Sequence, residues 1–275
     1  MPICTAFAPF KSKLAKVVRM RVPISRTFRS YCGGSGDAAS QAIGRRLMTK
    51  RLRQILQESQ HADAMRGHQG DRGSIESTCF AVLALYQRSC QEQSPAVRAL
   101  KNFQNKDGSW PAFPGDEPDG CWVTALAVIA LLASGREVSS LSPAIHWLLG
   151  AQGREAKWFW RWRFQAADKS VRFDPAKYGW SWVPGTTSWV IPTAFSVIAL
   201  RQARQLGINR TPIVTARIEQ GVSMLLNRMC PGGGWNAGNG MAFGVQYSAY
   251  IDATAIALLA LAGNETKPGV RDSLA

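Results

Sequence analysis

The sequence predicts an all-α protein in which buried inner helices alternate with amphipathic outer helices in a curved double layer. One apolar segment recurs as STCFAVLAL from Ser77, VTALAVIAL from Val123, PTAFSVIAL from Pro192 and ATAIALLAL from Ala253. Segments that begin with Pro and end in Gly lie between the copies. The chain of 275 residues also holds ten Trp, an excess that points to a repeated aromatic motif.

Each copy of the apolar segment has Thr, then a small residue, then an apolar stretch ending in Ala-Leu, so Thr78, Thr124, Thr193 and Thr254 are equivalent. The runs are apolar nearly all round, which predicts helices buried on most faces rather than helices with one wet side. A parallel sheet is excluded because runs rich in Ala and Leu are poor strand formers. The intervening segments run from Ser94 to Trp110, Ser142 to Gln152 and Thr215 to Trp235 and are amphipathic. Pro is tolerated in a first helical turn, where its missing N–H would be unpaired, and Gly ends the helix. Outer-inner pairs are therefore expected at roughly 45 to 90, 94 to 135, 141 to 206 and 212 to 263, with ends uncertain by about two to four residues.

Charge divides the chain differently. Residues 1 to 72 hold fourteen Lys or Arg against four Asp or Glu, which is +10 of the formal net charge of +15. No acid precedes Asp37, while Lys11, Lys13, Lys16, Arg19, Arg21, Arg26 and Arg29 recur among Ser and Val. Residues 1–44 are thus expected to be a basic leader, disordered or lying on a membrane surface, and residues 45–275 the repeat domain. Nucleic acid is excluded as a partner, because the basic residues lack interleaved aromatics or a recognition motif. The cysteines, Cys4, Cys32, Cys79, Cys90, Cys121 and Cys230, show no CxxC spacing and read as free thiols of a reducing compartment. Apolar runs such as Cys121 to Ala133 fall short of the roughly 20 residues that span a bilayer. The expected location is cytoplasmic, with peripheral contact to a membrane.

The motifs carry a resemblance. Gln104-Asn-Lys-Asp-Gly108-Ser-Trp110 is similar to the QxxxGxW (QW) repeat of squalene-hopene and oxidosqualene cyclases, and Gly234-Trp235 to its tail. Gly179 to Trp189, followed by Ile191-Pro-Thr-Ala, resembles bacterial proteins with prenyltransferase and squalene-oxidase repeats. The resemblance covers roughly residues 74 to 275 and identifies the terpene cyclase/mutase superfamily. It implies an α/α toroid, a partial α6-α6 barrel of about four pairs, whose inner helices line a cavity. It makes Trp110 and Trp235 structural, the indole stacked on a helix end and Gly allowing the close turn. Trp158, Trp160 and Trp162, among Lys157, Arg161 and Arg163, fall in an insertion where the third outer helix should end in Gly-x-Trp, and read as an amphipathic patch facing a membrane.

Cyclases of the hopene type protonate an alkene or epoxide with an acid from a DxDD motif, and aromatic faces stabilise the carbocations that follow. Here Asp252, beside Ala253 and Thr254, is the candidate acid; the other acids of DxDD are absent, and the comparable residue is Ile191 in the third repeat and Glu76 in the first. An Asp before a first turn also serves as a helix cap. Trp122, Trp189, Phe195 and Tyr250 are the candidate cavity lining. Protein prenyltransferases hold zinc through Asp-x-Cys and a distant His, which brings Asp119 and Cys121 into consideration. A catalytic zinc needs three protein ligands, and His61 and His68 precede the array while His146 lies on an outer helix, so no metal or other cofactor is expected. Asp116 and Asp119 imitate a DxxD diphosphate motif in a Pro-containing loop of solvated acids.

Four pairs do not close a ring that takes five or six in the family, and Pro268-Gly-Val-Arg271 repeats the Pro95-Ala-Val-Arg98 start of an outer helix before the chain stops. The exposed inner faces call for a partner chain that completes the barrel, a truncated frame, or helices from residues 1–44. The leading reading is a terpene-cyclase-like protein that binds a polyprenyl or triterpene hydrocarbon, with cyclisation started by protonation. Its alternatives are a non-catalytic lipid-binding or protein-interaction scaffold and a protein prenyltransferase-like subunit. The partners to test are an isoprenoid or other apolar small molecule and a membrane surface.

Overall fold

A computed structural model describes residues 54, 73–85, 95–115, 119–135, 141–167, 173–264, 269–271 and 273. The chain divides into two compact units, Met1–Ser59 and Gln60–Ala275, and the second holds the repeats. The basic leader and, but for residue 54, the outer half of the first pair lie outside the described residues.

The recurring apolar segments are helices: α1 (Ile75–Leu85), α3 (Val123–Ala133), α6 (Val190–Gln205) and α8 (Ile251–Ala260). Every residue of α3 from Val123 to Leu132 is buried, as a helix without a polar face requires. Between them stand α2 (Pro95–Asn102), α4 (Ser142–Gly150) and α7 (Pro212–Asn227), each with Pro in its first turn. A 3-10 turn (Arg154–Ala156), a helix α5 (Trp158–Ala167) and a short hairpin of β1 (Met241–Ala242) and β2 (Val245–Gln246) complete the order.

The inner helices pack in series, α1 on α3, α3 on α6 and α6 on α8. Outer helices lie behind them: α2 against α1, α4 against α3 and α6, and α7 against α6. This is a double layer with the inner helices on one face. No helix among the described residues is long and apolar enough to cross a membrane.

Three tryptophans staple the layers by one repeated set of hydrogen bonds. The indole Nε1 of Trp110 donates to Leu100 O of α2 (2.6 Å), that of Trp180 to Leu148 O of α4 (2.8 Å), and that of Trp235 to Leu225 O of α7 (2.7 Å). These carbonyls belong to last turns, where backbone donors run short; Leu225 O shares its acceptance with Arg228 N–H (3.1 Å). Each Trp backbone N–H then donates to the hydroxyl of an inner-helix threonine: Trp110 to Thr124 (3.0 Å), Trp180 to Thr193 (2.9 Å) and Trp235 to Thr254 (2.9 Å). The equivalent threonines are thus the inner sockets of the outer staples. Thr193→Val, which keeps the shape and removes the acceptor, is expected to cost about 1–3 kcal/mol in urea unfolding, because it leaves a buried N–H unpaired.

Trp110 and Trp235 carry the Gly-x-Trp signature, with Gly108 at φ +90° and Gly233 at φ +86°. A Cβ on Gly108 would stand 2.4 Å from the backbone carbon of Pro143, so the first such loop closes against the start of α4 only because the residue is glycine. The third staple departs from this pattern. The stretch around Trp158, Trp160 and Trp162 does not replace it; the chain makes the excursion through α5 and returns to put Trp180 in the staple position. Residue 178 is Tyr, so the third repeat has no Gly-x-Trp to find.

The same loops bind neighbouring repeats. Ile75 N–H donates to Ala112 O (3.1 Å), Trp122 N–H to Trp182 O (3.0 Å) and Val190 N–H to Ala237 O (2.9 Å). In each case the acceptor lies two residues beyond a staple tryptophan, and the donor opens the preceding inner helix. At the end of the chain, residues 269–271 form a turn, and the Ser273 hydroxyl accepts from Gly234 N–H (2.8 Å), which seats the tail on the Trp235 loop.

Candidate ligand cavity on the inner face

The staple fixes Thr124, Thr193 and Thr254 in the same place, so the residues around them share one orientation, and Thr78, whose hydroxyl donates to Ser74 O (2.7 Å), holds the equivalent position in α1. Two residues before each threonine stand Glu76, Trp122, Ile191 and Asp252; two residues after, in three of the helices, stand Phe80, Phe195 and Ile256. These seven side chains, with Trp182 from the loop beyond the third staple, line a cavity of about 500 Å³ on the inner face. A helix turns through about 100° per residue, so positions flanking the threonine by two in either direction fall on the side opposite the staple. The threonine faces the outer layer and its flanks face the cavity.

The walls are aromatic. Trp122 meets Trp182 edge to face at 5.0 Å between ring centroids and lies 5.8 Å from Phe195, which in turn lies 6.3 Å from Phe80. Such ring faces carry negative potential toward the space they enclose. The acids sit at the helix starts. Glu76 and Asp252 are both exposed at the mouth of the cavity, and the partial desolvation its walls give pushes the Glu76 carboxyl above its ordinary value. Asp252 Oδ1 accepts from Ala253 N–H (2.8 Å), so part of that carboxylate is engaged by its own first turn. Behind Glu76, Cys79 and Cys121 are buried free thiols, both pushed up by burial and by the Glu76 charge.

Of the residues singled out in the sequence, Asp252, Trp122 and Phe195 come together here. Trp189 and Tyr250 stand elsewhere. Trp189 precedes α6 and packs its ring over Gly238, where a Cβ would come within 3.0 Å of it. Tyr250 precedes α8, is exposed, and donates its N–H to Trp235 O (2.7 Å). Glu76, Phe80, Trp182, Ile191 and Ile256 join the lining, and all but Trp182 follow from counting two residues from each threonine.

A second crevice of about 390 Å³ lies between the second and third repeats, with Trp122 in both walls. Cys121 and the exposed His146 line it, whereas Asp119 is exposed in its loop. Among the described residues no three His, Cys, Asp or Glu side chains gather to hold a metal ion. Asp116 lies outside the described residues.

No family model matches the chain, and no curated protein matches it. Solved structures do. A type II terpene cyclase from Scytonema, in complex with its substrate geranylgeranyl dihydroxybenzoate, is similar with a TM-score of 0.50 and 17% identity, over 82% of this chain and 59% of that one. A protein geranylgeranyltransferase-I from Candida albicans, complexed with GGPP, is similar with a TM-score of 0.50 and 12% identity, over 74% of this chain and 53% of that one. The chain therefore spans less than two thirds of the length of either. At such identities the likeness is one of backbone architecture, and it agrees with the inner and outer layers found here. The repeats adopt the α/α-toroid fold that this terpene cyclase and this protein prenyltransferase also have.

Proposed function

We propose that the inner-face cavity binds an isoprenoid hydrocarbon chain and that a carboxyl at its rim protonates an alkene of that chain to start cyclisation. The observation that carries this reading is the meeting of Glu76 and Asp252 with Trp122, Trp182, Phe80 and Phe195 around one cavity. Its volume is within the few hundred to about 1,000 Å³ usual for small-molecule sites. The isoprenoid class is supported by the ligands named for the two similar structures, a geranylgeranyl compound in each.

Glu76 is the stronger acid candidate, with Asp252 the second. A carboxyl must be protonated before it can donate, and partial desolvation at the cavity mouth shifts Glu76 toward its neutral form. The proton passes from the carboxyl oxygen to an alkene carbon, a C–H bond forms, and a carbocation is left on the neighbouring carbon. The aromatic faces stabilise that cation as it moves along the chain. Loss of a proton from carbon to the carboxylate ends the reaction and restores the acid.

Incubation with squalene, geranylgeranyl diphosphate and a geranylgeranyl aryl compound tests the reading, with tryptophan quenching as the measure of binding. Glu76→Gln is expected to bind unchanged and to lose about 100- to 10,000-fold in turnover. Unchanged turnover in Glu76→Gln but not in Asp252→Asn assigns the acid to Asp252. Tight binding without product from the wild-type chain would make the protein a lipid-binding scaffold, and neither binding nor product would remove the isoprenoid reading altogether.

The pH dependence has a fixed sign. A carboxyl whose value is raised in the folded protein contributes stability that is fully present below its unfolded value and is lost as pH rises through the folded one. Turnover should likewise fall as pH rises through that value, since the acid form is consumed. At neutral pH Glu76→Gln is expected to unfold at the same or a higher urea concentration than wild type, with the difference vanishing in acid.

A further inference from the structure

We propose that α5 is a docking foot for an anionic lipid surface, independent of whatever the inner-face cavity binds. The helix presents two different faces. On one, Trp160 and Phe164 turn inward: their ring centroids are 6.2 Å apart, Phe164 meets Phe173 at 5.4 Å, and the Arg154 guanidinium lies 4.6 Å over Trp160. On the other, Trp158 is 79% exposed, Trp162 60% and Phe159 45%. The outer rings touch one another, Trp158 to Phe159 at 6.0 Å and Phe159 to Trp162 at 6.4 Å, so they form one continuous aromatic face.

Water is a poor partner for that face. Single exposed apolar side chains need no account, but a contiguous cluster of large rings marks an interaction surface. Among the described elements, α5 packs substantially only on the 3-10 turn at Arg154–Ala156, which leaves its outer side uncovered.

Charge selects the occupant. Lys157 and Arg163 are exposed at the edges of the helix, the Arg163 guanidinium 5.5 Å over Trp160, Arg161 donates to Ala156 O, and no Asp or Glu occurs from Ala156 to Ala167. The neighbouring Glu155 is fully buried against Arg228 and presents no charge outward. Indole rings bordered by basic side chains suit the boundary between lipid headgroups and acyl chains, where the ring enters the apolar side and the cation stays with phosphate. The hairpin tip also exposes Phe243 and Val245, yet it has no basic residue within the run 237–251. Aromatic and cationic groups coincide on α5.

The test uses the full chain and two kinds of vesicle, one of equimolar phosphatidylglycerol and phosphatidylcholine and one of phosphatidylcholine alone. Flotation with the mixed vesicles is expected for wild type. Trp158→Ser combined with Trp162→Ser should weaken it tenfold or more, and Lys157→Gln combined with Arg163→Gln by about fivefold for each charge removed, that second effect being absent on neutral vesicles. These side chains are exposed, so unchanged helicity and unfolding midpoint are expected and verify the fold. Acyl-brominated lipid should quench wild-type emission more than that of the Trp158 and Trp162 double variant. Equal flotation and equal quenching of wild type and double variant would assign any lipid binding to another part of the chain and overturn the proposal. So would an absence of flotation accompanied by self-association that the double variant abolishes, which would make the aromatic face a protein interface.

Discussion

Trp180→Ala is expected to lower the unfolding free energy by about 3–5 kcal/mol, the cost of emptying a fully packed aromatic site. Trp180 is 2% exposed and joins three helices. Its indole N–H holds the end of α4, its backbone N–H reaches Thr193 of α6, and its carbonyl accepts from Trp189 N–H (2.9 Å). The Arg217 guanidinium of α7 lies 3.5 Å over the ring and donates to both Ala151 O and Gly179 O. Room for the ring is made by Gly221 of the same helix, where a Cβ would come within 2.8 Å of the indole. Trp180→Phe keeps a ring in the site but removes the indole N–H and a few ring atoms, so a smaller loss of about 1–3 kcal/mol is expected, chiefly from the unpaired Leu148 carbonyl. Trp158→Ala, at an exposed position, should stay within about 0.5 kcal/mol of wild type. Urea unfolding of the three variants compares them directly, and similar losses in Trp180→Ala and Trp158→Ala would refute the staple.

Glu155→Ala is expected to cost a similar amount, about 3–5 kcal/mol, through a different cause: it strands a buried cation. The Glu155 side chain is 0% exposed and that of Arg228 2%, with Oε1 and Nη2 3.6 Å apart. Both carboxylate oxygens accept from Ser188 N–H, at 3.1 and 3.2 Å. The Arg228 guanidinium lies 3.8 Å over Phe173 and donates to Asn239 Oδ1. Burial lowers its value to about 10, and the charges of Glu155 and Asp174 oppose that shift. Arg228→Met alone should be costly as well, since it leaves the carboxylate buried with only Ser188 as donor. The double variant Glu155→Leu with Arg228→Met should recover much of either loss, because an apolar pair of similar volume carries no desolvation cost. A double-mutant cycle measures the coupling, and simple additivity would show that the two residues act separately. The pair ties the 3-10 turn that leads into α5 to the end of α7, so its loss should also loosen the helix proposed to meet lipid.

The two expectations mark where the sequence can be read and where it stops. Trp110 and Trp235 announce themselves through Gly-x-Trp, because their loops need a positive φ and a close approach that only glycine gives. Trp180 performs the same function behind Tyr178, with Arg217 stacked on it; it lacks Gly-x-Trp, and its close approach is marked instead by Gly179, where a Cβ would stand 2.1 Å from Thr193 Oγ1. In the cavity, Asp252, Trp122 and Phe195 were accessible from the repeat alone. Glu76 stands in the same register as Asp252, two residues before its threonine, and its place in the lining follows once the threonine is known to face outward. Trp182 comes from a loop whose path no periodicity encodes. Trp189 and Tyr250 show the converse: an aromatic next to the repeat need not share its orientation, because the residue before a helix points where the incoming chain sends it.

By itself the sequence determined the alternation of buried and amphipathic helices, their order, the recurring threonine and the Gly-x-Trp of two loops. These are local properties, set by helix propensity, apolar periodicity and the special φ of glycine, and they are written over a few consecutive residues. Only the tertiary structure decided that Glu76 and Asp252, 176 positions apart in the numbering, face one aromatic cavity, that Glu155 finds Arg228, and that α5 keeps Trp160 while showing Trp158 and Trp162 to solvent. Those outcomes depend on which helix packs against which, and such long-range packing is fixed by the joint fit of many side chains rather than by any segment's own composition.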